Sequence, residues 1–185
     1  MTDTTTLAAS MALSRTLNNG MIEIPTLQTD RLTLRPMTMA DWDDYYSFMQ
    51  SDRSLGMGGP FQKKMSWALF CHDMAQWPLM GNGALMLDDR ETGTCLGQVG
   101  INHGPLFPEH ELGWFLYPAA EGRGIGYEAA QRFADWARHE RCLPSLVSYI
   151  DRDNVRSRRL AERLGARLDD EAERPDQADL VYRHF

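Results

Sequence analysis

The feature that most constrains the fold is the stretch from Glu109 to Arg138, EHELGWFLYPAAEGRGIGYEAAQRFADWAR. It opens with strand alternation: His110, Leu112, Trp114 and Leu116 fall on one side, and Glu111, Gly113, Phe115 and Tyr117 on the other. Pro118 stops that strand. A loop with Gly122, Gly124 and Gly126 at every second position then leads into a helix whose apolar stripe is Ala129, Ala130, Phe133, Ala134 and Ala137. Strand, glycine loop and helix in that order aim backbone N–H groups and the positive end of a helix dipole at one spot. That is a place for an anion such as a pyrophosphate.

Charge and composition narrow the classes of function. A net charge of −7 argues against a nucleic-acid groove, whose affinity comes mostly from neutralised phosphates. It suits a cationic or amine-bearing substrate, and it also serves simple solubility. Cys71, Cys95 and Cys142 are odd in number and far apart, in no CxxC or Cys/His ligand spacing, so neither a disulfide framework nor a metal site is expected. No apolar run approaches the roughly 20 residues of a membrane span, and the first residues lack the pattern of a signal peptide. The expectation is a cytoplasmic protein with no membrane and no nucleic-acid partner.

Residues 1–20, rich in Thr, Ser, Ala and Asn, are expected to be an appendage, and 21–185 a single domain. A first strand begins after Asp30, and Thr38 caps a helix with Asp41 in its first turn. Gly56 to Pro60 is expected as a flexible connection. A second helix over Phe61–Trp77 has Met65, Leu69, Met74 and Trp77 as its apolar face and ends at Pro78. Tyr45, Trp67 and Trp77 are expected in the core rather than on a ligand. Strands over Ala84–Leu87 and Thr94–Asn102 form a hairpin, and the Glu111 strand follows a loop from Gly104 to Pro108, so three neighbouring strands are antiparallel. The strand over Ser145–Asp151 completes a βαβ unit with the Glu111 strand and should lie parallel to it. Asn154 starts a last helix, which stops at Gly165, and segments at Ala166–Leu168 and Leu180–Phe185 finish the sheet. The fold class is α/β (α+β): a mixed, mostly antiparallel sheet of about seven strands with helices on both faces.

Glycines at alternate positions let the main chain approach a ligand closely, and N–H groups from about Gly122 to Tyr127 can converge on phosphate oxygens with Arg123 beside them. The run from Gly124 to Ala129 also satisfies the GxGxxA form of a dinucleotide fingerprint. Topology rejects that reading. A dinucleotide fold starts its loop almost directly after the strand and continues with several parallel βα units, whereas here Pro118 intervenes and one further helix remains.

The chain resembles the GCN5-related N-acetyltransferases, within the branch that includes the ribosomal-protein N-terminal acetyltransferases. The resemblance runs over about Thr26–Phe185. It is carried by LQTDRLTLRPMTMADWDDYY, by HELGWFLYPAAEGRGIGYEAAQRFADWA, by the run Asp153 to Ser157 and by the run Glu162 to Ala166. It implies a GNAT-like sheet whose parallel pair splays apart. In that gap acetyl-CoA would lie as co-substrate, its pyrophosphate over Gly122, Arg123, Gly124, Ile125, Gly126 and Tyr127 and its pantetheine along Trp114, Phe115 and Leu116. Asn154 would also meet the cofactor. The resemblance admits a homodimer and leaves the acceptor open between a small-molecule amine and a protein N-terminus. Two positions depart from the family pattern: Glu121 stands where Gln or Arg is frequent, and Ala161 stands at the usual tyrosine acid.

An alkylammonium acceptor with a pKa near ~10.4 must lose a proton before it attacks, so a base is required. Glu111 is the candidate, on the strand position where similar family members place a Glu. The competing reading is a partly buried carboxylate paired with an arginine. Ser157, one turn from Asn154 on the same helix face, is the candidate hydrogen-bond donor to the departing thiolate. The competing reading makes Asn154 a plain helix start and Ser157 a packed small residue. A covalent cysteine route is disfavoured because Cys71 and His72, adjacent on a helix, diverge. The missing tyrosine keeps a non-catalytic acyl-CoA-binding or regulatory module as the alternative to an N-acetyltransferase working by direct attack.

Overall fold

The computed structural model describes residues 23–185, and the expected appendage over 1–20 lies outside the described residues. A two-residue edge strand, β1 (Leu27–Gln28), pairs antiparallel with β2 (Leu32–Pro36). Thr38 then opens a capping box, its backbone N–H donating to Asp41 Oδ2 at 2.7 Å. A 3₁₀ turn over Met39–Asp41 feeds α1 (Trp42–Met49). Arg35 braces this corner with a two-pronged contact to Asp41, at 2.7 and 2.9 Å, and a third bond to Asp88 at 2.6 Å. The segment expected as a flexible connection overlaps an ordered 3₁₀ turn, Asp52–Met57, which Gly58 terminates in the left-handed region.

The next helix, α2, runs Lys63–Met80 and carries Pro78 inside its last turn rather than ending there. Tertiary anchoring overrides the proline. Trp77 is buried, its Nε1 donates to Ala84 O at 3.0 Å, and Gly81, with φ 73°, closes the helix by donating to Trp77 O. The buried face also differs from expectation: Ser66, Phe70, Gln76 and Trp77 point inward, while Met65 is 52% exposed. Polar and apolar residues are mixed around this helix, with Ser66 and Gln76 on its inner side and Met65 on its outer, so periodicity alone could not choose its inner face. Tyr45 and Trp77 lie in the core as expected. Trp67 does not; it is 45% exposed and lies against Trp42 and Phe70.

Strands β3 (Ala84–Asp89), β4 (Cys95–Gly104) and β5 (Phe107–Leu116) form the antiparallel centre. The expected five-residue loop before β5 shrinks to Pro105 and Leu106, since Gly104 already pairs with Phe107. After a short 3₁₀ turn at Pro118–Ala120 come α3 (Ile125–His139), β6 (Val147–Asp151), α4 (Val155–Arg163), β7 (Arg167–Leu168) and β8 (Asp179–Arg183). The sheet has eight strands in the order β1-β2-β3-β4-β5-β6-β8-β7, and β5–β6 is its parallel pair. The strand beyond the expected seven is β1, too short to leave a period-2 signal.

Alternation along the strands sends side chains to two layers. Leu85, Leu87, Val99, Ile101 and Leu112 meet α3 through Ala129, Ala130, Phe133 and Ala137. Met86 and Phe115, on the opposite face, meet Tyr45, Phe48 and Met49 of α1 and Phe70 of α2. Small residues on α3 let it lie close to the sheet, and Phe133, wholly buried and stacked on Trp136, fills the space between. Replacing Phe133 by Ala therefore lowers the unfolding free energy by about 3–5 kcal/mol, measured as a fall in the urea midpoint by circular dichroism.

Candidate active site

The parallel pair creates the site. β5 and β6 share one register pair, Glu111 with Val147, after which β5 continues to Leu116 and β6 to Asp151 without pairing. At that point the Ser148 hydroxyl donates to Leu112 O at 2.6 Å, so a side chain closes the ladder where backbone bonding stops. Residues of both open strand ends line one cleft of about 1290 Å³, among them Trp114, Phe115, Leu116, Tyr149, Ile150 and Asp151. This exceeds the ~300–1,000 Å³ of an ordinary small-molecule pocket and leaves room for an extended ligand together with a second reactant.

At one end of the cleft lies the glycine loop. Gly124, with φ 77°, is the N-cap of α3, and the first N–H bonded into the helix belongs to Glu128. The amides of Ile125, Gly126 and Tyr127 are therefore the free donors at the positive end of the helix. At Gly126 an added Cβ would sit 3.3 Å from Leu160 Cδ2 and 3.4 Å from Leu116 Cδ1, so glycine permits the close approach of loop, β5 and α4. The site residues expected here separate into two groups. Gly122, Trp114, Phe115, Leu116, Asn154 and Ser157 line the cleft. Arg123, Gly124 and Tyr127 line a shallow neighbouring depression, and Ile125 is buried. The Arg123 side chain turns to Asp89, at 3.2 Å, instead of into the cleft, and Arg163 stacks over the Tyr127 ring at 4.1 Å.

Four further charges, Arg53, Glu121, Arg156 and Arg159, line the cleft at this end. Glu121, expected to contribute no favourable charge, is bonded to Arg53 of the 3₁₀ turn and to Arg156 of α4, the latter at 3.1 Å. It thus ties two arginines across the mouth of the groove. Arg53 was not legible as a site residue, because the turn that carries it has no motif. Asn154 caps α4, its Oδ1 accepting from Ser157 N at 3.1 Å, and its Nδ2 faces Gly56 of the same 3₁₀ turn. Ser157 thus combines a packed backbone with a hydroxyl on the cleft wall. Ala161, at the usual tyrosine position, is fully buried against Ile150, Ala166 and Tyr182, with Trp114 packed on the same cluster, so no phenol enters the cleft there.

The other end of the cleft is acidic. Glu111 is 8% exposed and accepts a hydrogen bond from Asn102 Nδ2 at 2.8 Å on Oε2; no arginine bonds to it. Burial, with Asp73 and Asp179 adding repulsion, pushes its carboxyl up to about 7. Its Oε1 leans over Gly113, where a Cβ would approach it to 3.0 Å. His110 points to the opposite face and stacks with His103, ring centres 4.0 Å apart. Asp73 of α2 is a site residue that the sequence did not reveal. It accepts from Tyr45 Oη at 3.1 Å and Gln98 Nε2 at 3.2 Å, and burial pushes its carboxyl up to about 7. Its neighbours in sequence gave no signal, because it is defined by what crosses over the sheet.

No cysteine lines the cleft, and burial pushes the Cys95 thiol up to about 11, away from nucleophilic character. Among the described residues no group of three His, Cys, Asp or Glu side chains could hold a metal ion, and no helix is long and apolar enough to cross a membrane.

Comparison with known proteins agrees with this geometry. An acetyltransferase structure from Agrobacterium tumefaciens strain C58 is 55% identical and superposes with a TM-score of 0.86 over 91% of this chain and 98% of that one. RimL, the ribosomal L7/L12 α-N-protein acetyltransferase solved with coenzyme A, is 13% identical with a TM-score of 0.69 over 86% of this chain and 96% of its own, a likeness of fold. Bacillus subtilis YkkB is 27% identical over 143 residues, 75% of this chain and 83% of its own. Residues 31–167 match the model of the acetyltransferase (GNAT) domain, and the chain belongs to the GNAT acetyltransferase family.

Proposed function

We propose that this protein is an acetyl-CoA-dependent N-acetyltransferase that delivers its acetyl group to a primary amine by direct attack within a ternary complex. The observation that carries this reading is the opened β5–β6 pair, with Glu121 and Gly122 of the glycine loop at one end of its cleft and the buried Glu111 carboxylate at the other. Bound acetyl-CoA supplies an acyl carbon already activated as a thioester. The amides of Ile125, Gly126 and Tyr127, with Gly122, hold the pyrophosphate, while Trp114, Phe115 and Leu116 run beside the pantetheine. Of the Asn154 side chain, Nδ2 is the polar group left to meet the cofactor, since its Oδ1 is committed to the cap.

Glu111 takes the proton that the acceptor ammonium must lose. With an ordinary carboxyl pKa it would be a poor base; desolvation brings it close to neutrality, where it both exists as carboxylate and holds a proton well. The amine lone pair then forms the N–C bond, the C–S bond breaks, and the proton shed by the acylated nitrogen goes to the departing thiolate, to which Ser157 Oγ donates a hydrogen bond as it leaves. Arg53 and Arg156 meet the phosphates once they exchange Glu121 for the cofactor's anion.

Three outcomes are expected. Titration calorimetry shows acetyl-CoA binding to the pure protein; no heat of binding at millimolar cofactor would remove the proposal. Because the base acts deprotonated, kcat/KM rises with pH through about 7, and Glu111→Gln removes that limb and lowers kcat by roughly 10²–10⁴-fold. An unchanged rate of thiol release in Glu111→Gln would instead support the non-catalytic module. Glu121→Gln tightens acetyl-CoA by about three- to tenfold by freeing both arginines, and Arg53→Ala weakens it by a similar factor, both read in the same calorimetric assay.

A further inference from the structure

The acidic end of the cleft has a floor without side chains. On β4 and β5 three cross-strand pairs follow one another on the same face: Asn102 with Glu111, Gly100 with Gly113, and Gln98 with Phe115. The middle rung is bare backbone. On one side of it the Asn102 amide tethers Glu111 through Oε2; on the other the Gln98 amide and the Tyr45 hydroxyl tether Asp73 through Oδ2. Each carboxylate keeps one oxygen, Glu111 Oε1 and Asp73 Oδ1, with no hydrogen-bond partner among the described residues. Glu111 Oε1 leans over the bare rung itself.

Neither carboxylate bonds to an arginine or lysine, and the cleft's arginines Arg53, Arg156 and Arg159 belong to the phosphate end. Asp176 and Asp179 add negative charge on the opposite rim. Glu111 is buried and Asp73 half-buried, and two carboxylates brought together in a cleft with no cation beside them repel each other and lose part of their hydration. A structure keeps such groups where an incoming positive charge compensates them. Glu111 alone accounts for one ammonium, the one that reacts. Asp73 has no part in that proton transfer, and its free oxygen remains for another.

We propose that the acceptor is a small molecule with two ammonium groups a few bonds apart, one delivered to Glu111 and the other held by Asp73 across the Gly100–Gly113 rung. Asp73 is thus a specificity-determining residue. The inference rests on the acetyl-transfer reading above and deepens it by naming the substrate class. Tyr45, Phe48 and Phe115 beside the rung provide apolar and aromatic surface for the methylenes between the two charges.

The test compares initial rates, with acetyl-CoA saturating, for α,ω-diaminoalkanes of about three to six methylenes and the matching n-alkylamines. A charge-assisted hydrogen bond to the second ammonium corresponds to a factor of about ten to a hundred, so at least one diamine should exceed its monoamine in kcat/KM by about tenfold or more. Asp73→Asn should erase that advantage through KM, and Asp73→Glu should shift the preferred diamine to a shorter chain, while calorimetric acetyl-CoA affinity reports that each variant is folded. Equal rates for the paired amines, an advantage that survives in Asp73→Asn, or no turnover of either series by protein that binds acetyl-CoA would overturn the inference. Should Asp73→Asn fail to fold, the wild-type comparison of paired amines decides alone. Failure to bind acetyl-CoA at all would instead strike the proposed function.

Discussion

Two parallel strands that hold together at one rung set the geometry of everything around them. Past Glu111 and Val147 the backbone groups on the facing edges of β5 and β6 have no ladder to join, and buried unpaired groups of that kind are expensive. Such an opening persists only if something covers its cost. Ser148 does so for one carbonyl at the fork. Beyond it, in the proposed function, a ligand lying between the strands supplies the remaining partners. The opening also decides where the glycine loop must sit, because α3 begins at the end of β5 and packs back over the sheet through Ala129, Ala130 and Phe133.

The cleft has opposite electrostatics at its ends. Gly122 and the arginines bound to Glu121 gather at one end, and Glu111, Asp73 and Asp179 at the other. In the proposed function, that separation orients two reactants of opposite charge head to tail without a covalent anchor, with the reacting atoms meeting over β5. It also explains why Glu111 takes its fixing bond from an asparagine. An arginine partner would hold the carboxyl low, as Arg183 does for Glu109, which is held down to about 2. An amide fixes the geometry and leaves the basicity that desolvation creates.

Elements whose own residues dictate their form were readable in advance. The Thr38–Asp41 cap, the antiparallel β3–β5 meander, the βαβ unit and the Gly165 stop each arise from contacts a few residues apart or from strict periodicity. Elements decided by distant partners were not. Pro78 fails to end α2 because Trp77 is anchored to Ala84, and the inner face of that helix was hidden by polar and apolar residues mixed around it. The turn carrying Arg53 has no signature apart from what it touches.

In the site the same division holds. The chain itself determined the family, the glycine loop ahead of α3 and the strand position of Glu111, since glycine spacing, strand alternation and helix capping act locally. Only the tertiary structure decided that Glu111 is paired with Asn102 and not with an arginine, that Arg123 turns outward to Asp89, that Ala161 is sealed beneath Trp114 and Tyr182, and that Asp73 crosses from α2 to stand beside the base. The physical reason is that desolvation and ion pairing depend on which surfaces are brought face to face, a quantity that no short window of sequence contains.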